Sequence, residues 1–308
     1  MLVGGRHLAL PMADYPKLTG FGQANDAWIR VGLDVGEAAL RDALDRAGLT
    51  PADVDAIYFT SVTGVAAPSL DARLMNRIGL RNDVKRVPIF GLGCVAGAAG
   101  IARCADYVRG FPDHVAVLLS VELCSLTIQR DDFSIPNLIA TGLFGDGAAC
   151  AVVVGANRRT VATRTPEIIA TRSVFYPHTE DVMGWTIGDG GFRIVLSAEV
   201  PEMVRRHLRS DVDRFLSDNG ISRSEIHTWV AHPGGPKVLD AMAETFGLAP
   251  AALARTWKSL REVGNLSSSS VLCVLRDTME EPPPAGSFGL ICAMGPAFCS
   301  ELVLVRWT

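Results

Sequence analysis

An internal repeat is the feature that most constrains the fold of this chain. Residues 48–54 (GLTPADV) align without a gap with residues 220–226 (GISRSEI), and each segment follows a helical pattern and precedes an apolar run. In both segments a Thr or Ser is followed three residues later by Asp or Glu, which is the sequence of a helix capping box. Capping boxes recur by chance, so this match needs support from elsewhere in the chain.

Two more pairs of segments correspond in the same order. Gly93-Cys94 aligns with Gly264-Asn265, and each pair precedes a helical pattern of small residues. Phe144-Gly145 aligns with Met294-Gly295, and each pair precedes an apolar run. Three correspondences in one order favour two copies of one fold over a chance match.

We place the two halves at residues 1–155 and 156–308. Short apolar runs predict strands, and apolar positions three and four residues apart predict helices. The predicted strands are Ala56–Phe59, Val115–Val121, Cys150–Val154, Thr228–Ala231, Ser287–Cys292 and Leu302–Trp307. The predicted helices are residues 25–47, Ser69–Ile78, Ala96–Val108, Glu202–Asp218, Lys237–Phe246 and Ser268–Met279. This alternation predicts an α/β protein whose central strands are covered by helices on both faces.

The composition argues against several classes of protein. The 308 residues are 48% hydrophobic and 20% charged, with a net charge of -4, which argues against nucleic acid as the main partner. The seven cysteines include no CxxC pair, so we expect neither a disulfide framework nor a zinc cluster. The opening MLVGGRHLALPMADYP lacks the apolar core of a signal peptide, and no apolar run could span a bilayer. We therefore expect a soluble cytoplasmic protein without membrane insertion.

Cys94 is the first candidate for chemistry. It follows the strand-like segment Ile89–Gly93 and precedes a helical pattern of very small residues. Glycines permit a sharp turn, and small residues let other backbone pack close to the helix. The positive end of a helix dipole lowers the pKa of a thiol, which would favour the thiolate. The alternative is that Cys94 is a small buried apolar residue.

His232 and Asn265 are the second and third candidates. His232 ends an apolar run and precedes a turn of prolines and glycines, the strand end at which α/β proteins place their sites. Asn265 precedes a helix, and its alternative role is to cap that helix. With Cys94 they form a set suited to thioester chemistry. It holds a sulfur nucleophile, an imidazole that activates it and an amide that stabilises an oxyanion.

At these residues the chain resembles the chalcone synthase family, the type III polyketide synthases of the thiolase superfamily. The separations between the cysteine, the histidine and the asparagine also fit that family. The segments that carry the resemblance are GLGCVAGAAG (91–100), ELCSLT (122–127), LFGDGAA (143–149), GFRIVLSAEVP (191–201), AHPGGPKVLD (231–240), GNLSSSSVL (264–272) and AMGPAFCSELVLVRW (293–307).

The resemblance implies a thiolase-like fold of two stacked αβαβα halves, which together form five layers and assemble as a homodimer. It also implies an acyltransferase that loads an acyl-CoA starter, extends it by decarboxylative condensation with malonyl-CoA and cyclises the chain. No metal is implied, and no cofactor beyond the CoA thioesters that serve as substrates.

The resemblance also implies roles for single residues. Cys94 would carry the acyl chain, while His232 and Asn265 would bind the malonyl thioester carbonyl. The residues expected to line the substrate pocket are Phe144 (a gatekeeper), Phe192, Ile194, Ser267 and Thr127. Those expected to contact CoA are Arg6, Gly234, Gly235 and Lys237. The alternatives are core packing for Phe144, helix capping for Ser267, and exposed surface charge for Arg6 and Lys237.

Three features depart from the family pattern. Ile194 stands where the family has a second gatekeeper phenylalanine, with Phe192 two residues earlier, and this predicts an altered cavity. Ala297 stands where the family has glycine, and a positive φ there would cost about 1 kcal/mol. The family also has a strand and a helix before the region where this chain begins. The first half is therefore expected to be short at its start and to lack a central strand.

For the product, we expect an acyl-CoA starter to give an alkylpyrone or alkylresorcinol. Three alternatives remain: a tetrahydroxynaphthalene synthase that uses malonyl-CoA alone, a β-ketoacyl carrier-protein synthase III, and a catalytically impaired, truncated homologue. The HPGGP and LFGDG segments favour a polyketide synthase over the carrier-protein enzyme. The intact set of Cys94, His232 and Asn265 argues against the impaired homologue.

Overall fold

Two mixed β-sheets form the frame of the structure. The computed structural model describes residues 3–308. In the first sheet the strand order is β2-β1-β3-β4, where β1 is parallel to β2 and β3, and β4 is antiparallel to β3. Its strands are β1 (Ala56–Thr60), β2 (Lys85–Ile89), β3 (Val115–Leu123) and β4 (Asp146–Val154).

The second sheet repeats three of these four strands. Its order is β5-β10-β9-β8, where β8 is parallel to β9, and β10 is antiparallel to both β9 and β5. Its strands are β5 (Pro166–Phe175), β8 (Ile226–Ala231), β9 (Phe288–Gly295) and β10 (Cys299–Trp307). The strands β6 (Met183–Gly188) and β7 (Gly191–Leu196) form a separate antiparallel hairpin. The series β1, β3 and β4 thus matches β8, β9 and β10 in order and direction.

Helices cover both sheets. Those of the first half are α1 (Phe21–Ala47), α2 (Leu70–Ile78), α3 (Ala96–Gly110) and α4 (Ile135–Leu143). Those of the second half are α5 (Val200–Met203), α6 (Arg209–Asp218), α7 (Pro236–Phe246), α8 (Ala254–Val263) and α9 (Ser268–Glu280). One apolar cluster joins α1 and α2 to the first sheet, and another joins α5 to α8 to the second. A third cluster holds α3 and α9 between the two sheets.

The contact between α3 and α9 is unusually close. A Cβ atom added at Gly97 of α3 would lie 2.2 Å from the main-chain oxygen of Ser268, at the start of α9. Only glycine fits such an approach of two helices. The small residues after Cys94 therefore do what the sequence predicts, since they let another part of the backbone pack against the helix.

The predicted helices and strands are present, but the structure differs from the prediction in three respects. The helix predicted at Glu202–Asp218 is interrupted by a π-helical turn at Val204–Leu208, between α5 and α6. Phe192 and Ile194 were expected on one strand face and lie on β7, whereas β2, β5, β6, α4 and α8 were not predicted. Within residues 3–308 the first half does lack a strand, but at the edge beside β4, where the second half has β5 beside β10, and not in the centre of the sheet, because β1 and β3 pair directly along five residues.

Between residues 3 and 308, no helix is both long and apolar enough to cross a membrane. The same residues contain no group of three or more His, Cys, Asp and Glu side chains placed to hold a metal ion.

Candidate active site

Cys94 lies at a sharp turn between β2 and α3. Gly91 and Gly93 have φ angles of 93° and 54°, which favour glycine, and Gly93–Val95 forms a 3-10 turn that continues into α3. A Cβ atom at Gly93 would lie 2.7 Å from the ring of Pro296. The turn thus places Cys94 against the loop that joins β9 and β10 in the second half.

Asn265 and Ser267 approach Cys94 from the second half. The Asn265 side chain is buried, and its Oδ1 accepts a 2.8 Å hydrogen bond from the main-chain N–H of Ser267. Ser267 has a φ of 49°, rare for a residue other than glycine, and its Oγ lies 3.6 Å from the Cys94 sulfur. Ser267, not Asn265, is the residue at the N-cap of α9, and its hydroxyl makes no capping hydrogen bond. The capping alternatives for both residues are therefore wrong.

His232 lies at the end of β8 beside Asn265. Its main-chain N–H donates to the oxygen of Cys292 on β9, which fixes the strand end (2.9 Å). The Asn265 Nδ2 donates to the main-chain oxygen of Gly234, two residues after His232 (3.4 Å). Within residues 3–308 neither imidazole nitrogen has a hydrogen-bond partner, and burial lowers the pKa of His232 to about 4. The imidazole is therefore neutral at pH 7 and has one N–H to donate.

The Cys94 thiol is protonated in this geometry. Burial raises the pKa of Cys94 to about 12, and the hydrogen bond with Ser267 offsets only part of this rise. The negative charge of Glu122 raises the thiol pKa further. The expectation of a resting thiolate at a helix N-terminus is wrong here, because burial outweighs the helix dipole. Loss of the thiol proton has to accompany attack on a substrate carbonyl.

Phe144 connects this cluster to a cavity. The main-chain N–H of Asn265 donates to the oxygen of Leu143, and the N–H of Gly145 donates to the oxygen of Asn265, at 2.9 and 3.0 Å. A Cβ atom at Gly145 would lie 2.5 Å from the oxygen of Val263, so glycine is required there. The chain around Phe144 is thereby fixed to Asn265, while Phe144 itself lines the cavity.

The cavity has a volume of about 580 Å³. Five of the residues predicted to contact substrate or CoA line it: Arg6, Thr127, Phe144, Phe192 and Ile194. Its lining does not include Cys94, His232, Asn265, Ser267, Gly234, Gly235 or Lys237, as far as residues 3–308 define it. Phe144 therefore lines the cavity, while the main chain of its neighbours Leu143 and Gly145 is hydrogen-bonded to Asn265.

An aromatic cluster shapes one wall of this cavity. Phe192 is 2% exposed, and its ring is surrounded by those of Phe21, Phe90 and Trp185, with centroids 5.6, 6.3 and 6.1 Å away. Phe192 and Ile194, two residues apart on β7, both line the cavity, as their position on one strand face predicts. Phe21 and Trp185, which come from α1 and β6, were not predicted as site residues.

The residues predicted to contact CoA lie in two places. The Arg6 guanidinium donates to the main-chain oxygens of Thr141 and Phe144 at the end of α4, where a cation complements the helix dipole. Gly235 and Lys237 lie instead at the start of α7, where Gly235 has a φ of 145°. Arg6 lines the cavity, whereas Gly235 and Lys237 do not.

Glu122 is a buried acid next to Cys94 to which the sequence analysis gave no role. Its carboxylate accepts hydrogen bonds from Thr63 Oγ1 (2.9 Å), the main-chain N–H of Val62 (3.1 Å) and Ser268 Oγ. Burial raises the pKa of Glu122 to about 7. A glutamate inside the apolar run that forms β3 was the signal that could have revealed it, because a buried carboxyl needs several donors.

Asp146 ties the start of the chain to the cavity wall. It accepts hydrogen bonds from the main-chain N–H groups of Ser125 (2.7 Å) and Ala9 (2.5 Å), and from the Ser125 hydroxyl. Ser125 also hydrogen-bonds the Tyr15 hydroxyl. Tyr15 and Ser125 both line the cavity, so this network fixes one side of it.

Both halves of the chain match one known protein family. Residues 14–158 match the family described as "Chalcone and stilbene synthases, N-terminal domain", and residues 167–308 match its C-terminal domain. A 1,3,6,8-tetrahydroxynaphthalene synthase of Streptomyces peucetius subsp. caesius is 55% identical over 98% of this chain and 80% of that protein. A phloroglucinol synthase of Pseudomonas fluorescens is 32% identical, over 99% of this chain and 86% of that protein.

Solved structures show the same fold. The tetrahydroxynaphthalene synthase of Streptomyces coelicolor superposes with a TM-score of 0.93 at 32% identity, over 98% of this chain and 86% of that one. The synthase PKS-I of the brown alga Ectocarpus siliculosus also gives 0.93, at 26% identity, over 100% of this chain and 86% of that one. The thiolase-like fold expected from the sequence is thereby confirmed. The chain belongs to the chalcone and stilbene synthase family, the type III polyketide synthases.

Proposed function

We propose that this synthase uses malonyl-CoA alone and that its product is 1,3,6,8-tetrahydroxynaphthalene. The family assignment makes the chain an acyltransferase that condenses CoA thioesters with loss of carbon dioxide. The observation that carries the product is the 55% identity with the S. peucetius enzyme over 98% of this chain. Among the products weighed from the sequence, this one now takes precedence over an alkylpyrone or alkylresorcinol.

The chemistry of the cavity supports a malonyl-derived chain. Such a chain carries a carbonyl at every second carbon and needs hydrogen-bond donors around it, whereas a long alkyl starter needs a continuous apolar tunnel. Polar side chains are spread through the lining among the aromatic ones: Ser125, Thr127, Gln129, Asn137 and Thr141. Ser125, Thr127, Gln129 and Asn137 already donate hydrogen bonds within the protein, so what favours a short polyketone is that these side chains interrupt the apolar surface that a fatty acyl chain needs.

The proposed loading step takes place at Cys94. The sulfur attacks the thioester carbonyl of malonyl-CoA, and its proton moves to the His232 imidazole, which is neutral because burial lowers its pKa to about 4. Collapse of the tetrahedral intermediate expels CoA, which leaves as the thiol with the proton from His232. Cys94 then carries the acyl group as a thioester.

The proposed extension step uses His232 and Asn265 together. The N–H of His232 and the Nδ2 amide of Asn265 donate to the thioester carbonyl of a further malonyl-CoA. When carbon dioxide leaves, the enolate that forms is held by the same donors. Its carbon attacks the acyl group on Cys94, the Cys94 sulfur leaves, and the chain is two carbons longer on CoA. Phe144 serves as the gate between this cluster and the cavity.

The test is a product analysis of the full chain. Malonyl-CoA alone is expected to give tetrahydroxynaphthalene, identified by mass spectrometry and by its oxidation to a naphthoquinone. The same assay is run with a panel of acyl-CoA starters and with malonyl carrier protein in place of malonyl-CoA. A product that forms only with a fatty acyl-CoA, or only with the carrier protein, would contradict the proposal and select one of the two alternatives.

Controls separate the proposal from a catalytically impaired homologue. Cys94→Ala should abolish condensation, and mass spectrometry of the wild-type protein after incubation with malonyl-CoA should find an acyl group on Cys94. Cys273, which is partly exposed on α9, serves as the matched cysteine, and Cys273→Ser should leave turnover unchanged. A wild-type protein that is folded but inert with every substrate would support the impaired homologue.

We further propose a cytoplasmic homodimer, as the family resemblance implies. Four successive residues of the outermost strand of the first sheet, Lys85–Pro88 of β2, are exposed. Antiparallel pairing of two β2 edges across a two-fold axis would continue the sheet between subunits. Light scattering during gel filtration should give twice the chain mass of 32.9 kDa. A proline at Val87 should reduce that mass to the monomer value.

A further inference from the structure

Three hydrogen-bonded side chains connect a buried carboxylate to the wall of the cavity. The Ser125 hydroxyl donates to the Asp146 carboxylate, which also accepts from the main-chain N–H groups of Ser125 and Ala9. A hydroxyl has one proton, and that of Ser125 points to Asp146, so the Tyr15 hydroxyl is the donor in its hydrogen bond with Ser125. The donors therefore point in one direction, from Tyr15 through Ser125 to Asp146. We call these three residues the Tyr15 triad.

The two ends of the Tyr15 triad have different surroundings. Tyr15 and Ser125 line the cavity, whereas Asp146 is 4% exposed and does not line it, as far as residues 3–308 define the cavity. The Tyr15 oxygen accepts a 3.3 Å hydrogen bond from the main-chain N–H of Leu10. A phenol oxygen has two lone pairs, so it can accept a second hydrogen from a molecule in the cavity.

The Tyr15 triad can carry a proton away from the cavity. Burial raises the pKa of the Tyr15 hydroxyl, so this group is protonated at pH 7. Burial also raises the pKa of the Asp146 carboxyl, and the donors around it offset only part of this rise. Its carboxylate therefore accepts a proton more readily than an ordinary aspartate does. If Tyr15 takes a proton from the cavity, its own can pass to Ser125 and that of Ser125 to Asp146.

The repeated fold does not itself require this carboxylate. Because Phe144-Gly145 aligns with Met294-Gly295, the residue of the second half that corresponds to Asp146 is Pro296. The second half thus forms the segment before its antiparallel strand β10 without a buried acid. Burial of a carboxyl costs free energy unless several donors surround it. A carboxylate behind the cavity wall of one half therefore calls for a reason other than the fold.

We propose that Tyr15 is the general base that starts ring closure of the polyketone, with Ser125 and Asp146 receiving its proton. This inference rests on the proposed function, because it needs a substrate with a carbonyl at every second carbon. A carbon between two such carbonyls gives its proton to the Tyr15 oxygen, while the Tyr15 proton passes to Ser125 and the Ser125 proton to Asp146.

The ring then closes by formation of one carbon–carbon bond. The carbanion attacks a carbonyl carbon further along the polyketone, and the carbonyl π electrons move to its oxygen. That oxygen takes a proton from Tyr15, which recovers one from Ser125, and Ser125 recovers one from Asp146. The Tyr15 triad returns to its starting state, and the step needs no oxidant, reductant or second substrate.

The products of Tyr15→Phe test the proposal. A polyketone that does not close through carbon can still form a lactone, because an enol oxygen attacks the thioester carbonyl and expels CoA. Loss of a general base costs about 100-fold, so the ratio of carbocyclic product to lactone should fall by about that factor. Release of CoA, measured by chromatography, should stay close to the wild-type rate, because loading and extension take place at Cys94.

Two further variants locate the effect. Ser125→Ala interrupts the Tyr15 triad and keeps the Tyr15 hydroxyl, so it should give the same product ratio as Tyr15→Phe. The double variant should be no worse than either single one, because the residues act as one unit. Tyr107→Phe is the matched control and should keep the wild-type ratio. It removes a partly buried hydroxyl that hydrogen-bonds His114 (2.8 Å) and, within residues 3–308, does not line the cavity.

A substituted tyrosine separates proton transfer from a structural role. Difluorotyrosine in place of Tyr15, with both fluorines beside the hydroxyl, keeps the hydrogen bonds of the Tyr15 triad but lowers the pKa of the phenol. The oxygen is then a weaker base, and the ratio of carbocycle to lactone should fall by about tenfold. A tyrosine that only holds the cavity wall would give the wild-type ratio. This protein also supplies the test if Tyr15→Phe does not fold.

Two results would overturn the proposal while the proposed product stands. One is a folded Tyr15→Phe protein that keeps the wild-type product ratio, whether or not its turnover falls. The other is a difluorotyrosine protein with the wild-type ratio. A wild type that makes a resorcinol contradicts the proposed product but leaves these comparisons valid, because they measure ring closure relative to wild type. A wild type whose only product is a lactone would overturn both proposals.

Discussion

The hydroxyl of Ser267 lies 3.6 Å from the sulfur of Cys94, although the two residues are 173 positions apart. Ser267 reaches this position with a φ of 49°, a conformation held by the hydrogen bond from its N–H to the Asn265 side chain. Asn265 therefore holds in place the hydroxyl that contacts the Cys94 sulfur. In the proposed mechanism it has a second function, because its amide donates to the substrate carbonyl.

Replacing Asn265 should affect both functions. In Asn265→Ala the N–H of Ser267 loses its acceptor and the site loses an oxyanion donor, so we expect kcat to fall by about 100-fold. Steady-state turnover of malonyl-CoA measures this. Ser267→Ala is the matched control, because it keeps the Asn265 amide and removes only the contact with the sulfur. An Asn265→Ala variant with kcat within threefold of wild type would contradict the assignment.

The pKa of His232 differs between the folded and unfolded chain, so its contribution to the free energy of unfolding changes with pH in a direction that can be stated. Its folded pKa of about 4 lies below its ordinary value of 6.5, so the unfolded chain binds more protons between these values. This contribution to stability is present above pH 6.5 and is lost as the pH falls to 4, a change of about 3 kcal/mol. Urea unfolding of the wild type and of His232→Gln measures it. A stability difference that stays constant from pH 4 to 6.5 would contradict the shift.

The contribution of Glu122 to stability should change with pH in the opposite direction. Its folded pKa of about 7 lies above its ordinary value of 4.5, so the folded protein holds the proton that the unfolded chain loses. The contribution to stability is present below pH 4.5 and is lost as the pH rises to 7, again by about 3 kcal/mol. The wild type should therefore become less stable relative to Glu122→Gln over that range. The reverse trend in urea unfolding would exclude a protonated Glu122.

Replacing Ala297 with glycine should stabilise the protein. The structure gives it a φ of 54°, the positive value on which the cost predicted from the sequence depends. Ala297→Gly removes the steric conflict of the Cβ atom and should raise the free energy of unfolding by about 1 kcal/mol. Ala38→Gly, at an exposed position inside α1, is the control and should lower it by a similar amount. Thermal denaturation that shifts both variants in one direction would contradict the backbone explanation.

The cavity wall should control the length of the product. Trp185 lines the cavity and packs against Phe192, so Trp185→Ala widens it, whereas Ile194→Phe narrows it. We expect Trp185→Ala to shift products toward longer chains and Ile194→Phe toward shorter ones. Mass spectrometry of products from malonyl-CoA measures both. Identical product mixtures from the two variants would show that this wall does not limit the chain.

The sequence predicted the parts of the fold that leave a periodic or small-residue pattern. The helix α1 ends at Gly48 in the left-handed conformation, and both capping boxes form, at Thr50 and at Ser222. The strand β2 was not predicted because its exposed sequence, KRVPI, has charges and a proline where a buried strand has apolar residues. The π-helical turn at Val204–Leu208 was not predicted either, since its residues fit an ordinary helical pattern.

The residues of the candidate site could be predicted from the sequence, but the pKa values of their side chains could not. Turn-forming glycines and strand ends identified Cys94, His232 and Asn265 from the sequence. Their protonation states depend on burial from all sides, which comes from residues distant in the chain such as Ser267 and Glu122. The same limit applies to the cavity wall, because Phe21 and Trp185 come from elements whose packing no local pattern specifies.

The contact at Gly97 limits how this protein can be recombined. The helices α3 and α9 can approach this closely because Gly97 has no side chain. Cys94 lies just before α3 and Ser267 just before α9, so this approach sets the distance between the Cys94 sulfur and the Ser267 hydroxyl. A hybrid enzyme assembled from one half of this chain and one half of another synthase would keep that spacing only if glycine faces the incoming helix. A larger residue there would push the start of α9, and Ser267 with it, away from Cys94, even though each half remained correctly folded.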